Sequence, residues 1–257
     1  MSDAVALFHA DQGRGDVVVL AHAIGMDHRM WDDLAGRLAQ DHRVVRFDAR
    51  GHGKSPVPRR PYSLEGMAGD ALALLDRLEI EKAHWVGLSM GAMIGMAFAL
   101  EHPERLGGLV LANTTSFYGP EGRALWQARA KAVKDGGLEA INDMVMSRYF
   151  SDDFRAAQPA IVKEMSRRFL ATPVEGYLGC CDAIAELDYT PDLSRIHART
   201  LVIAGAADAG TPPAMSQAIA DRIPGSQLAV IAQAAHLSAV EKPQEFGALV
   251  KGFLAAP

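Results

Sequence analysis

Short apolar runs alternate with helical patterns along most of the 257-residue chain. The β-branched run "DVVVLAH" is typical of a strand covered on both faces. The segment after it places Met30, Leu34 and Leu38 four residues apart, which is the spacing of one helix face. Further strands are predicted in "HRVVRFD", "AHWVGLS", "RLGGLVLAN", "ARTLVIAGAAD" and "SQLAVIAQAAH", and a closing helix in "KPQEFGALVKGFL". This alternation predicts an α/β fold, a mostly parallel sheet with helices on both faces.

One stretch, from Ser116 to Leu187, interrupts the alternation because it holds no β-branched run and helical patterns dominate. It predicts a helical cap, inserted between two strands of the sheet. The predicted organisation is therefore a core in two parts, 1–115 and 188–257, with the cap at 116–187. No long linker or low-complexity tract borders the insertion, so we expect it to pack on the sheet.

Composition narrows the classes of protein that remain. Hydrophobic residues make up 49% and charged residues 22%, as in soluble globular proteins, and a net charge of −5 without a basic cluster argues against nucleic-acid binding. Cys180 and Cys181 are adjacent and cannot join distant parts of the chain, which favours a reducing, cytoplasmic location.

The beginning of the chain lacks the features of a secretory signal. The apolar stretch 85–100 is shorter than the roughly 20 residues of a membrane span, so a buried helix is predicted there.

That stretch begins with a serine between glycines, in "GLSMG". The pattern fits G-x-S-x-G at a junction of strand and helix, where a sharp turn lifts the serine above the sheet. Only small residues two positions to either side allow such a turn to close. We therefore predict that Ser89 is a nucleophile, against the alternative that it simply caps the following helix.

A serine nucleophile requires a base and an orienting acid, which follow it along the chain in the order acid, then histidine. Asp208 lies directly after a predicted strand, at the edge where catalytic groups are found. Only one histidine follows it, His236, so these two residues are predicted to be the acid and the base. The other common place for the acid is occupied by Asn113, and Asp188, at the cap boundary, is the reserve candidate.

Two backbone N–H groups are expected to stabilise an oxyanion. One belongs to Met90, directly after the serine, and the other to Ile24 in the loop "HAIGMD", where Gly25 lets the chain turn closely. The segment "GHGKS" lacks the first glycine of a phosphate-binding loop, and no Cys/His cluster suggests a metal site. Neither a metal nor an organic cofactor is predicted.

With these residues in place, the chain resembles the α/β-hydrolase family with a helical cap over nearly its whole length. The segments that carry the resemblance are "AHAIGMDHRMW", "FDARGHGKS", "VGLSMGAMIGMAFALEHPERLGGLVLANT", "TLVIAGAADAGTPP" and "AAHLSAVEKPQEF". Within that family it is similar to the 3-oxoadipate enol-lactonases of the β-ketoadipate pathway of aromatic catabolism. The cap segments "SRYFSDDF" and "GYLGCCDAIAELDYTPDLSRI" carry this narrower likeness.

The resemblance places the helical cap after the sixth strand of the sheet. It also implies a serine hydrolase that opens a small anionic enol-lactone through an acyl-enzyme and needs no cofactor. A carboxylesterase, a lactonase of different specificity or a cofactor-free perhydrolase would use the same three residues, so these functions stay open. A ligand-sensing receptor built on an intact hydrolase is a candidate of another class. The oligomeric state is not predicted.

An anionic substrate requires a cationic partner, and the cap offers one. Trp126 and Arg129 are three residues apart, so on a helix they share a face. The Trp126 indole would give the substrate ring a flat apolar surface, and the Arg129 guanidinium could donate two hydrogen bonds to a carboxylate. The competing interpretation is a solvated Arg129 beside a Trp126 that packs the cap onto the core. Arg148 is the reserve candidate for the substrate carboxylate.

Overall fold

The computed structural model describes residues 4–256, and these contain a seven-stranded sheet in the order β1-β3-β2-β4-β5-β6-β7. The strands are β1 (His9–Gly13), β2 (Val17–Ala21), β3 (Arg43–Phe47), β4 (Ala83–Leu88), β5 (Leu106–Ala112), β6 (Thr200–Gly205) and β7 (Gln227–Ile231). All neighbouring strands pair in parallel except β1, which is antiparallel to β3.

Eleven α-helices lie in the described part of the chain. They are α1 (Asp32–Leu38), α2 (Leu64–Arg77), α3 (Met90–Glu101), α4 (Gly119–Gly136), α5 (Asn142–Tyr149), α6 (Asp152–Ala157), α7 (Pro159–Leu170), α8 (Val174–Ala185), α9 (Pro213–Ala220), α10 (Ser238–Glu241) and α11 (Pro243–Ala255). Helices cover both faces of the sheet, as the alternating pattern predicts; α2 packs against α3, and α1 packs against α11.

The position of the cap differs from the prediction in one respect. The helical insertion follows β5, the fifth strand, so its predicted place after the sixth strand is wrong. In the described chain, five strands of the sheet, β1 to β5, come before the insertion. The first of them, the edge strand β1, is not among the strands that the sequence predicts. That strand, "HADQG", is only partly buried and holds no apolar run, so the hydrophobic pattern does not reveal it.

The apolar stretch after the serine forms α3, a 12-residue helix that is buried from Met90 to Ala99. Its packing is close: a Cβ added at Gly95 would lie 2.5 Å from Trp85 Nε1. The helix therefore belongs to the protein core, as predicted. Nowhere in residues 4–256 does a helix reach the length and apolar character needed to cross a membrane.

The two ends of the insertion meet in a narrow neck. An isolated β-bridge joins Phe117 to Asp188, and the Tyr189 N–H donates a 2.8 Å hydrogen bond to the Ser116 carbonyl. The division into 1–115, 116–187 and 188–257 stays a prediction.

The cap packs directly on the sheet part, as expected. A Cβ added at Gly176 of α8 would lie 2.1 Å from the carbonyl oxygen of Gly51, in the loop after β3. Nearby, Arg60 donates a 2.7 Å hydrogen bond from Nη2 to Asp182 in α8. The two backbones therefore touch at a point where no side chain fits, and an ion pair holds the adjoining surfaces together.

Candidate active site

Ser89 lies on a strained turn between β4 and α3. Its backbone has φ 56° and ψ −118°, a left-handed conformation that costs a residue other than glycine about 1–3 kcal/mol. A Cβ added at Gly87 would lie 2.3 Å from the Gly91 carbonyl oxygen, and one added at Gly91 would lie 2.0 Å from the Ala21 carbonyl oxygen. Both flanking positions therefore exclude any side chain, which is the physical reason for the two glycines.

The hydroxyl of Ser89 is not used to cap the helix that follows, since it makes no capping hydrogen bond to α3. The residue is 5% exposed, and it lines a cavity of about 150 Å³ between the carboxyl edge of the sheet and the cap. The capping role is thus absent from the structure, and the hydroxyl is available to a molecule in the cavity.

His236 lines the same cavity and is hydrogen-bonded to Asp208. Its Nδ1 lies 2.8 Å from Asp208 Oδ2, so the hydrogen bond assigns the proton to Nδ1 and leaves Nε2 as an acceptor. A serine, an acceptor imidazole and a buried carboxylate are the groups that nucleophilic attack on an acyl carbon requires.

Asp208 is 2% exposed, and both oxygens of its carboxylate accept hydrogen bonds. Oδ1 accepts hydrogen bonds from the N–H groups of Gly210 and Thr211, at 2.8 and 2.9 Å. Oδ2 also accepts the hydroxyl of Thr211 at 2.8 Å and the side-chain amide of Asn113 at 3.0 Å. Burial alone would raise the pKa of Asp208, but the charge and hydrogen bond of His236, with the other donors, outweigh it and lower the pKa to about 2.

Asn113 is a functional candidate to which the sequence pattern assigned no role. The residue follows β5, next to the loop after β6, and its backbone has φ 46°. Its amide donates to Asp208 and to the Ala235 carbonyl, while Ser238 donates a 2.5 Å hydrogen bond to its Oδ1. Asparagine tolerates the left-handed conformation, so its presence at this strand end was the available signal.

The loop predicted to stabilise an oxyanion lies beside the turn at Ser89, because Ala21 pairs with Gly87 in neighbouring parallel strands. Ile24 lines the cavity, and the Gly25 N–H donates a 2.9 Å hydrogen bond to His52 Nε2. Met90 is the first residue of α3, so its N–H has no partner within that helix.

The structure brings all three predicted cap residues to the cavity. Trp126, Arg129 and Arg148 line it together with Ser89 and His236. Arg148 is exposed at the rim of the cavity, whereas Trp126 and Arg129 are partly buried.

Arg129 is not a solvated surface residue. Its guanidinium carbon lies 4.8 Å from the centre of the Trp126 ring and 5.5 Å from the centre of the Tyr177 ring. Its Nε and Nη2 atoms are buried and make no hydrogen bond of normal geometry within residues 4–256, although the hydroxyl groups of Tyr149 and Tyr177 lie near the guanidinium. A buried cation with free donors is costly, and an anionic ligand in the cavity would remove that cost.

A second polar cluster, Asp27, His28 and Asp48, places three potential ligand atoms within 4.8 Å of one another. These groups already bind within the protein: Arg29 donates to Asp27, and His28 lies 2.7 Å from Asp48. The cluster shares no residue with the cavity lined by Ser89, and nothing in its geometry requires a cation.

Known proteins with related sequences and structures include hydrolases of two named activities. The 3-oxoadipate enol-lactonase 2 of Acinetobacter baylyi is 37% identical over 97% of this chain and 93% of that protein. A putative carbamate hydrolase, RutD, of Pseudomonas syringae pv. syringae is 31% identical over 96% of this chain and 97% of that protein. The crystal structure of the enol-lactonase from Burkholderia xenovorans LB400 matches with a TM-score of 0.94 and 33% identity, over 98% of this chain and 97% of that one.

A family model for the alpha/beta hydrolase fold matches residues 16–243, and that range includes the turn at Ser89, the cap, Asp208 and His236. The mostly parallel sheet with helices on both faces and the strained serine turn between a strand and a helix agree with this match. The chain therefore belongs to the α/β-hydrolase family.

Proposed function

We propose that the protein is a serine hydrolase that opens 3-oxoadipate enol-lactone, a small anionic lactone, to 3-oxoadipate. The observation that carries the proposal is the pairing of two features in one small cavity. A serine and an imidazole lie beside a buried guanidinium whose Nε and Nη2 lack partners in the described chain. The activity named for the Acinetobacter and Burkholderia relatives supports the same reaction.

In the proposed reaction, Ser89 Oγ attacks the lactone carbonyl carbon while His236 Nε2 takes the hydroxyl proton. Asp208 holds the imidazole in the required tautomer and stabilises its positive charge. Collapse of the tetrahedral intermediate breaks the bond to the enol oxygen. The enolate leaves, takes up the proton held by His236 and tautomerises to the ketone of the product, while the acyl group stays on Ser89 and His236 Nε2 is again free to accept a proton.

The oxyanion of the intermediate is proposed to accept hydrogen bonds from the N–H groups of Met90 and Ile24. Their positions are fixed before the substrate arrives, so charge develops against donors that need no reorganisation. A water molecule, deprotonated by His236, then attacks the acyl-enzyme and releases 3-oxoadipate. None of these steps requires a metal or an organic cofactor.

Selection of the substrate is proposed to take place in the cap. Arg129 receives the free carboxylate of the lactone through its unpaired Nε and Nη2, and Trp126 provides a flat wall for the ring. Arg148, at the rim, is the second candidate for the carboxylate. The proposed setting is a cytoplasmic enzyme of aromatic catabolism that acts on a small molecule.

The test is to compare substrates on the purified enzyme. Loss of ultraviolet absorbance follows the enol-lactone, and p-nitrophenyl acetate serves as a neutral ester of similar size. We expect kcat/KM for the enol-lactone to be larger by about tenfold or more, the scale of one charge-assisted hydrogen bond. A higher kcat/KM for the neutral ester would identify a carboxylesterase. Preference for a neutral lactone would identify a lactonase of different specificity, and peroxide-dependent turnover of acetate would identify a perhydrolase.

A further inference from the structure

Three successive residues of the loop after β2 are each hydrogen-bonded to a different buried side chain. The bonds join His22 Nδ1 to the Ala23 carbonyl at 2.8 Å, the Tyr149 hydroxyl to the Ile24 carbonyl at 2.5 Å, and the Gly25 N–H to His52 Nε2 at 2.9 Å. The two histidines belong to the sheet part of the molecule, whereas the tyrosine is the last residue of α5 in the cap.

These bonds fix both peptide planes on either side of the Ile24 Cα. The Ala23 carbonyl and the Ile24 N–H belong to one planar trans peptide unit, so holding the oxygen aims the N–H in the opposite direction. The Ile24 carbonyl and the Gly25 N–H form the next unit, which Tyr149 and His52 hold at its two ends. Together they leave the backbone of Ile24 little freedom.

Tyr149 also contacts the proposed base. Its ring stacks on the His236 imidazole, with centroids 5.5 Å apart and an angle of 19° between the planes. Its carbonyl accepts a 2.9 Å hydrogen bond from the N–H of Leu237, the next residue in the chain. One cap residue therefore touches both the loop of the oxyanion donor and the residue that moves the proton.

We propose that Tyr149 is a positioning residue through which the cap completes the catalytic centre. It holds the Ile24 peptide in the direction needed by the oxyanion and holds the His236 ring against the cavity. The cap then has a role in the chemical step as well as in substrate selection. This inference rests on the proposed function, because it assumes that Ile24 donates to an oxyanion and that His236 is the base.

The decisive variant is Tyr149→Phe, which keeps the ring and removes only the hydroxyl. The matched control is Tyr62→Phe, because Tyr62 also donates to a backbone carbonyl, that of Pro58 at 2.9 Å, but does not line the cavity. Both variants are assayed with the enol-lactone and with p-nitrophenyl acetate, below the thermal unfolding transition of the less stable one.

We expect Tyr149→Phe to lower kcat about tenfold on both substrates while KM changes by less than about twofold, because a misaligned donor weakens transition-state binding more than ground-state binding. Binding of a small alkylboronic acid, which forms a tetrahedral anion on a nucleophilic serine, should weaken by a similar factor. Tyr62→Phe should leave kcat at the wild-type value. An unchanged kcat in Tyr149→Phe, or an equal loss in both variants, would overturn the proposal.

A conservative replacement separates positioning from packing. With 4-aminophenylalanine introduced at position 149, an N–H donor reaches the same carbonyl, and kcat should recover. If Tyr149→Phe does not fold, this variant carries the test alone, and a tenfold loss of kcat in it would contradict the role of the donor. An enzyme that cleaves the neutral ester but not the enol-lactone would refute the proposed substrate, while the ester kinetics would still test Tyr149.

Discussion

Two enclosed charged groups lie near the cavity, one in the sheet part and one in the cap, and they differ in how far they are satisfied. The Asp208 carboxylate accepts hydrogen bonds on both oxygens from Gly210, Thr211, Asn113 and His236. The Arg129 guanidinium lies against two aromatic rings, and two of its nitrogens have no partner in the described chain.

The difference in hydrogen bonding between the two groups suits them to different functions, one to orienting a base and the other to binding an anion. A fully satisfied buried charge is held in place before any ligand binds, as a group that must orient a base requires. A buried cation with unused donors carries an unfavourable free energy that a matching anion can relieve. We therefore infer that the sheet part supplies the reacting groups, while the cap selects the substrate and, through Tyr149, helps to position those groups.

The largest effect is expected from the groups of the sheet part. Ser89→Ala and His236→Ala should lower kcat by about a thousandfold or more, because one removes the proposed nucleophile and the other the proposed proton acceptor. Asp208→Asn should be severe but milder, since the acid orients and stabilises the base without taking the proton. The measurement is kcat on both the anionic lactone and the neutral ester, with the same loss expected on each.

Asp188→Asn is the matched control, because Asp188 is an exposed carboxylate at the neck of the cap that does not line the cavity. It should keep wild-type activity. If Ser89→Ala retained more than about a tenth of the wild-type rate, the nucleophile would have to be reassigned.

Local sequence signals were sufficient for most of the sheet part. Strands covered on both faces appear as continuous apolar runs, and the turn at Ser89 requires two glycines whose spacing is visible in the sequence. The edge strand β1 was missed because its residues are polar and only partly buried. The support that Asn113 gives to Asp208 was missed because it depends on two strand ends, 95 residues apart, that meet only in the folded sheet.

The cap was harder to predict, for a physical reason. Helical spacing places Trp126 and Arg129 on one face, but it does not say whether that face meets solvent or protein. Long charged side chains on helices are mostly exposed, so the solvated interpretation of Arg129 was the reasonable one until the packing was known. Tyr149 gave no signal, since its contacts with Ile24 and His236 arise from the docking of the cap on the sheet.

A smaller and more selective effect is expected from the cap charge. Arg129→Ala should raise KM for the enol-lactone by about tenfold or more and leave the neutral ester nearly unchanged, because only the anionic substrate loses a charge-assisted hydrogen bond. Arg123→Ala is the control on the same helix, since Arg123 is half exposed and pairs with Glu186 at 2.8 Å. Equal losses on both substrates would make Arg129 a structural residue and place the carboxylate site elsewhere.

The smallest effect concerns the two buried histidines that are hydrogen-bonded to the loop around Ile24. Burial, with a further contribution from the charge of His22, lowers the pKa of His52 from 6.5 to about 3. Burial also lowers the pKa of His22, against the opposing charge of Asp48. The unfolded chain therefore binds these protons below about pH 6.5, while the folded protein does not bind the His52 proton until about pH 3.

Because the unfolded state binds more protons in this window, the free energy of unfolding should fall as the pH is lowered from about 6.5, by up to about 1.4 kcal/mol per pH unit for each histidine. Urea unfolding at pH 7, 6 and 5 measures this slope. His52→Gln offers an amide oxygen to Gly25 without a titrating ring, so it should make the slope shallower, while His197→Gln, at an exposed histidine, is the matched control. A slope that His52→Gln leaves unchanged would mean that His52 takes up its proton without unfolding, and the loop at Ile24 would then be held less firmly than its hydrogen bonds indicate.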